Sequence, residues 1–298
     1  MIKVAIIILS YNSSKDLLEC LQSVYRLQST AYRLEVIVVD NHSSDNSVEV
    51  AKKFNVEIIK NRQNLGFSGG NNVGIKKALA AGSDFVLLLN PDTKVHQNLI
   101  SELLRVAKTD RKIGILAPKI YFYPGFEFHK NRYKEDERGK IIWYAGGKID
   151  WKNILASHRG TDEVDVGQYN TVVETEFATG AAMFVKREVF EAIGNFDEKF
   201  FLYLEDLDFS IRTKERGFKI IYVPTAVMWH KWARSAVGGS ALQDYYFTRN
   251  RLLFGLKYAN WRAKFALVRQ SLRFLFEGGV QKKAVLDFYL GKFGKGNL

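Results

Sequence analysis

Cysteine is almost missing: Cys20 stands alone among 298 residues, which excludes an internal disulfide framework and any metal site built from a cysteine cluster. Its neighbours Leu17, Leu18, Leu21 and Val24 mark it as a small buried hydrophobe. Long apolar runs are missing as well. No segment reaches the roughly 18 residues of a membrane-spanning helix. The opening run, residues 4–9, is short and leads to no small-residue cleavage site. A signal peptide is therefore not expected, and the chain reads as cytoplasmic, soluble or peripheral at the inner face of the cell membrane. Glycine is missing where two nucleotide-binding folds require it. A dinucleotide fingerprint needs a glycine turn directly after the first strand, so that pyrophosphate can reach a helix N-terminus. Here that turn reads Ser10-Tyr11-Asn12-Ser13-Ser14, and no Walker phosphate loop follows anywhere. Internal repeats and low-complexity tracts are also absent.

Apolar residues make up 47% of the chain and charged residues 26%, the balance of a globular protein with a proper core. The length suits one large α/β domain, or one domain with a substantial appendage. Lysine and arginine number 44 against 32 acids, a net charge of +12 that points to an anionic partner. Short β-branched runs at residues 3–9, 35–40, 56–60 and 84–90 read as buried parallel strands. Helical patterns lie between them at 14–26, 46–54 and 69–80. This alternation predicts a parallel sheet with helices on both faces. The rhythm breaks after Lys119 into an aromatic, charged stretch with turns at Pro124-Gly125 and Gly146-Gly147, read as a large loop or β-excursion. Further strands are expected at 172–177 and 181–186, a helix at 187–193, and another from Glu205 to Glu215 that stops at Gly217.

Ligands of such a sheet sit beyond the carboxyl ends of its strands, and those ends are polar here. Asp40 closes the second strand, where a desolvated carboxylate needs a partner and can accept the imide N–H of uracil or thymine. Ser44 or Asp45 can cap the helix that follows. The glycine-rich segment from Asn64 to Gly74 can bring backbone N–H groups close to a ligand, or can be an ordinary turn and helix start. Asn90-Pro91-Asp92 places a carboxylate where a hard divalent cation would sit, Mg²⁺ or Mn²⁺ taking one or two protein carboxylates and filling the rest with phosphate and water. The plainer reading makes Asp92 a turn or cap residue. Glu205-Asp206-Leu207-Asp208 follows an apolar stretch, so a carboxyl there can carry a raised pKa and act as a base. Helical geometry puts Glu205 and Asp208 on one face and Asp206 on another. The competing reading is acids in a helix's first turn. His230, after Val227-Met228-Trp229, reads on its own as structural.

Taken in order, these segments resemble the family 2 glycosyltransferases. The residues that carry the resemblance are Ile8-Leu9-Ser10-Tyr11-Asn12, Val38-Val39-Asp40-Asn41 with Ser43-Ser44-Asp45, Asn64-Leu65-Gly66-Phe67 with Gly70-Asn71-Asn72-Val73-Gly74, and Leu89-Asn90-Pro91-Asp92. Thr179-Gly180-Ala181-Ala182-Met183, Gly194-Asn195-Phe196-Asp197-Glu198, Tyr203-Leu204-Glu205-Asp206-Leu207-Asp208, Tyr245-Tyr246 with Arg249-Asn250, and Asp287-Phe288-Tyr289-Leu290-Gly291-Lys292 complete the series. It covers nearly the whole chain and is most similar to the rhamnosyltransferase branch.

The resemblance implies the nucleotide-diphospho-sugar (GT-A) fold, with a mainly parallel central sheet flanked by helices. Residues 1–240 would be the catalytic domain, 1–120 its nucleotide half and 121–240 its acceptor half, followed by a helical extension over 241–298. It implies inverting transfer of a sugar from a dTDP or UDP donor to a hydroxyl of a glycan or lipid-linked acceptor. Asp40 and Asn41 would hold the pyrimidine, with Ser10, Tyr11, Asn12 and Asn90 framing the nucleotide. Gly66, Phe67, Asn71 and Asn72 would serve the base and ribose side. Asp92 matches the last acid of the family's metal-binding triplet, and His230 lies where some members place a metal or phosphate contact. Asp206 matches the catalytic base, with Glu205 and Asp208 on the acceptor side. One departure is Asn90, which stands where the triplet usually carries its first acid and so contributes no charge to a cation. The rivals are a nucleotidyltransferase, whose glycine- and lysine-rich first loop is absent here, and a non-catalytic or nucleic-acid-binding protein. Nucleic acid is not expected, because a groove that tracks phosphates would not be lined by Asp40, Asp92 and Asp206.

Residues 245–298 hold eleven lysines and arginines against Glu277 and Asp287, with Phe254, Tyr258, Trp261, Phe265, Phe274 and Phe276 interleaved. Trp261, Phe265, Val268, Leu272 and Leu275 repeat at helical spacing. The stripe is expected to pack on the catalytic domain and touch an anionic membrane surface. A second copy of the chain in a homodimer is the other candidate cover.

Overall fold

The structure is a computed structural model that describes residues 1–27, 30–129, 131–231 and 240–297. Four strands, β1 (Ile2–Ser10), β2 (Tyr32–Asp40), β3 (Glu57–Lys60) and β4 (Phe85–Leu89), form a parallel block in the order β3-β2-β1-β4. The β-branched runs put Val4 to Ile8 fully inside, so the first strand is covered on both faces. Helices α1 (Ser14–Val24), α2 (Ser47–Ala51) and α3 (Gly66–Ala80) make the crossovers. All four strands end on one rim, at Ser10, Asp40, Lys60 and Leu89.

Beyond β4 the chain adds β5 (Thr93–Val95), α4 (Leu99–Ala107), β6 (Ile113–Phe122), β7 (Ile142–Tyr144), β8 (Gly147–Asp150), β9 (Leu155–His158), β10 (Val173–Glu174), β11 (Ala182–Lys186), α5 (Arg187–Ile193), α6 (Glu205–Glu215), β12 (Lys219–His230) and the helices α7 (Ala241–Tyr258), α8 (Trp261–Glu277) and α9 (Gly279–Tyr289). The sheet extends from β4 through β11, β6 and β12, with β8 and β9 forming a separate hairpin. β11 runs antiparallel to both of its neighbours. It therefore starts at the polar rim and sets Thr179, Gly180 and Ala181 beside the end of β4.

Two strands exceed their sequence pattern. β6 continues past Lys119 to Phe122, and β12 is 12 residues long. Their pairing slips between Val223 and Val227, where Pro224 has no N–H to donate. That interruption hides a continuous strand that carries His230 to the rim.

The backbone just before α6 is held in an unusual shape. Phe201, Tyr203 and Leu204 all have positive φ (62°, 71° and 70°), a left-handed conformation costing about 1–3 kcal/mol each in residues with side chains. Buried hydrogen bonds fix it. Asn250 Nδ2 reaches the carbonyls of Phe200 (2.7 Å), Leu202 (2.8 Å) and Tyr203 (2.9 Å), and Arg249 Nη2 reaches those of Lys199 and Phe200 (both 3.1 Å). Phe201 O accepts from the N–H groups of Phe67 (2.6 Å) and Ser68 (3.2 Å) at the start of α3. Gly66, at φ 71°, lies so close to Phe201 that a Cβ would overlap its carbonyl and ring. Asn250→Ala strands these buried carbonyls and should lower stability by about 2–4 kcal/mol in denaturant unfolding. A loss under about 0.5 kcal/mol would show that Asn250 does not hold the turn.

Candidate active site

Hydrogen bonds zip the rim loops together. Asn12 N donates to Ser43 Oγ (3.0 Å), and Asn12 Oδ1 accepts from Ser44 N (2.8 Å). Asp45 accepts from Ser14 N (2.9 Å) at the head of α1 and from Ser47 N (3.0 Å) at the head of α2, so one carboxylate serves two helix starts. Ser10 is fully buried, its hydroxyl 2.9 Å from that of Ser13. Tyr11 stays exposed at the mouth. Asp40 is buried at the end of β2. Its Oδ2 is 3.4 Å from Ser43 N, while Oδ1 has no protein partner.

The glycine-rich segment is framework. Asn41 Oδ1 accepts from Asn61 Nδ2 and Leu65 N (both 3.0 Å), and its Nδ2 donates to Asn64 Oδ1 (2.9 Å) and Gly66 O (3.1 Å). Asn71 donates to Phe67 O (2.9 Å). Asn72 exchanges two 3.0 Å hydrogen bonds with the Phe196 backbone and donates to Glu198 Oε1 (2.9 Å). Leu65, Gly66, Phe67 and Ser68 all have their N–H groups engaged within the protein. The expected approach of free backbone N–H groups to a ligand is therefore not seen at this helix start. Phe67 alone of the segment lines the cavity described next.

A cavity of about 430 Å³ opens on the rim beside β11. Asn90, Gly180, Glu205, Asp206, His230 and Arg251 supply its polar wall, and Trp143, Phe177 and Leu204 are among its apolar residues. Asp206 is held by the two segments that frame it: Gly180 N donates to Oδ2 (3.0 Å) and Leu207 N to Oδ1 (2.9 Å). Glu205 is buried, and its Oε2 has no partner. Burial pushes both carboxyls up from their ordinary range. Asp206 is partly restored by its backbone donors, whereas Glu205 lacks comparable relief and also feels the Asp206 charge.

Across the cavity, β5 pairs with β12 so that His230 lies opposite Thr93. This brings His230 Nε2 to 3.2 Å from Asp92 Oδ1. His230 Nδ1 is buried and unpartnered, and the ring meets Trp143 edge-on at 4.6 Å. His158, on the other side of Trp143, is pushed down to about 4 by burial and stays neutral near pH 7. Cys20 is buried behind this loop, its Sγ 3.7 Å from Asn90 O and 3.6 Å from Thr93 Oγ1.

Asp208 departs from its expected place on the acceptor side. It is fully buried away from the cavity, bonded to Arg212 Nε (2.8 Å), Lys257 Nζ (2.7 Å) and the Tyr258 hydroxyl (2.7 Å). It clamps α6 to α7, while Asp206, on the other side of the helix, faces Gly180. Sequence reasoning also missed Gln243, Phe247 and Arg251, which bring the first turns of α7 into the cavity wall. The Arg249-Asn250 pair was the available signal, since polar residues set between Tyr245-Tyr246 and Leu252-Leu253-Phe254 need buried partners.

The comparisons with known proteins agree with this architecture. The low-salt glycan biosynthesis hexosyltransferase Agl10 of Haloferax volcanii is 28% identical over 72% of this chain and 63% of its own length. The N-acetylglucosaminyl-diphospho-decaprenol L-rhamnosyltransferase of Mycobacterium tuberculosis is 28% identical over 70% of this chain and 69% of its own. The chain thus spans about two thirds of these relatives. Among solved structures, GalNAc-T7 with UDP, GalNAc and Mn²⁺ matches with a TM-score of 0.62 at 18% identity, over 89% of this chain and 53% of that one. The mannosyltransferase PcManGT from Pyrobaculum calidifontis, in complex with GDP-Man and Mn²⁺, matches at 0.56 and 13%, over 99% and 76%. These likenesses show the expected GT-A fold. The family model for glycosyl transferase family 2 matches residues 5–194, from the first strand past α5, and on that match the chain belongs to glycosyl transferase family 2.

Proposed function

We propose that the chain is an inverting glycosyltransferase that moves a hexosyl group, rhamnose or a similar sugar, from a dTDP or UDP donor to a hydroxyl of a glycan or lipid-linked acceptor. One observation carries this reading. Two carboxyls with raised pKa values share a cavity with Asn90 and with the His230 that touches Asp92. The rhamnosyltransferase relative supports the choice of sugar.

Asp206 acts as base. It removes the acceptor's hydroxyl proton as that oxygen attacks the anomeric carbon from the face opposite the diphosphate, and the bond to the diphosphate oxygen breaks with its electrons. Glu205 keeps its proton beside Asp206, so the pair carries a single charge. The unpartnered Asp40 Oδ1 accepts the pyrimidine imide N–H, and the exposed Tyr11 ring flanks the base, with Ser10 and Asn12 fixing that loop.

A divalent cation fits beside Asp92. Among the described residues no group of three or more His, Cys, Asp or Glu gathers into a protein cage. A carboxylate with an adjoining imidazole suits a Mg²⁺ or Mn²⁺ ion that takes its other ligands from phosphate and water. Asp92 and His230 would hold it, with the Asn90 amide oxygen nearby in sequence, and it would offset charge growing on the departing diphosphate.

Asp206→Asn should lower turnover roughly 10²–10⁴-fold while UDP or dTDP still binds by calorimetry. Turnover like that of the unaltered protein would discard the base. The raised Asp206 pKa means that the active, ionised form is lost as pH falls through that raised value. The acid limb of the rate profile should therefore lie above the ordinary aspartate value of about 3.9, and a limb at or below it would contradict the assignment. Asp92→Ala should raise the Mn²⁺ concentration needed for half-maximal rate and cut turnover roughly 10²–10³-fold. Full activity of the unaltered protein in excess EDTA would remove the cation from the scheme.

A further inference from the structure

Helix α8 hides its small side chains and shows its large ones. Ala263, Leu267 and Ser271 face inward, whereas Trp261 is 73% exposed, Phe265 69%, Leu272 49% and Phe276 89%. At 3.6 residues per turn these four lie within about 60° of one another, on the side away from the buried face. An aromatic stripe of this kind left in water marks an interaction surface. Arg262, Arg269 and Arg273 are exposed beside it and Lys264 is half-buried, while Glu277, paired with Arg273 at 2.5 Å, is the helix's one acid.

We propose that α8 seats the protein on an anionic lipid bilayer, the aromatic stripe entering the headgroup boundary and the flanking cations meeting lipid phosphates. Charge selects this occupant. A second copy docked through the same face would set arginines against arginines, whereas an anionic surface complements them. No helix among the described residues is long and apolar enough to cross a membrane, so the contact is one of lying on the surface.

The inward side of α8, opposite the stripe, borders the candidate site. A crevice of about 170 Å³ between α7 and α8, lined by Leu155, Phe247, Arg251, Leu267 and Phe274 among others, shares Leu155, Phe247 and Arg251 with the cavity that holds Asp206.

The test is co-sedimentation of the full chain with phosphatidylcholine vesicles, with and without phosphatidylglycerol. Binding is expected only with phosphatidylglycerol and should weaken roughly tenfold or more when salt is raised. The combined variant Trp261→Ser, Phe265→Ser and Phe276→Ser alters only exposed side chains. It should bind at least about tenfold less while keeping its melting temperature and its donor hydrolysis in solution. Arg262→Glu with Arg269→Glu should abolish the preference for anionic vesicles. Three results would overturn the proposal: unaltered protein left in the supernatant with anionic vesicles at low salt, undiminished binding by the serine variant, or a dimer in ultracentrifugation that the serine variant dissolves. Donor hydrolysis without vesicles is read on the same samples. Its absence in the unaltered protein would count against the transferase reading and leave the membrane result standing.

Discussion

Everything at the rim depends on one backbone turn being held in a conformation it would not choose. The carbonyls of residues 199–203 accept from four places in distant parts of the chain: the start of α3, Arg249, Asn250 and Gly294. These bonds offset the left-handed backbone at Phe201, Tyr203 and Leu204 and fix the direction in which α6 leaves the turn. The direction of α6 in turn decides which of its acids meets Gly180. The strain is local, while its support spans the fold.

Three acids within four residues come to differ through their surroundings alone. Asp208 is fully buried, but Arg212 and Lys257 neutralise it, so it contributes cohesion. Asp206 keeps two backbone donors and a face toward the cavity. Glu205 is buried with an orphaned oxygen and is the group most resistant to ionisation. Identical chemistry thus separates into a clamp, a carboxyl held by backbone donors at the cavity wall, and a buried carboxyl that resists ionisation. His230, in contact with Asp92, lines the same cavity as Glu205 and Asp206.

The parallel block was legible because β-branched runs with polar tips have few other interpretations, and the strand ends at Ser10, Asp40 and Leu89 follow from the pattern. The direction of β11 was not legible, because alternation is the same read either way. β12 was hidden by Pro224 and by a register slip. On α6, helical spacing put Glu205 and Asp208 on one face but could not say that Lys257 would reach one of them from another helix. The resemblance implied ligand contacts at Asn41, Asn71 and Asn72, whose hydrogen bonds here go to neighbouring backbone and side chains. The stripe on α8 showed the same limit. Periodicity reveals that a face exists, and only packing tells which face the core takes.

The clamp at Asp208 also dictates an order of events during synthesis. Residues 5–194 can complete most of the central sheet as they emerge, but Asp208 acquires Lys257 and Tyr258, and the turn acquires Asn250, only some forty to fifty residues of chain later. Until then Asp208 has only Arg212 of its own helix as counter-charge, and the turn before α6 lacks Asn250. A nascent chain stalled before α7 would therefore carry a formed scaffold with one wall of the cavity missing.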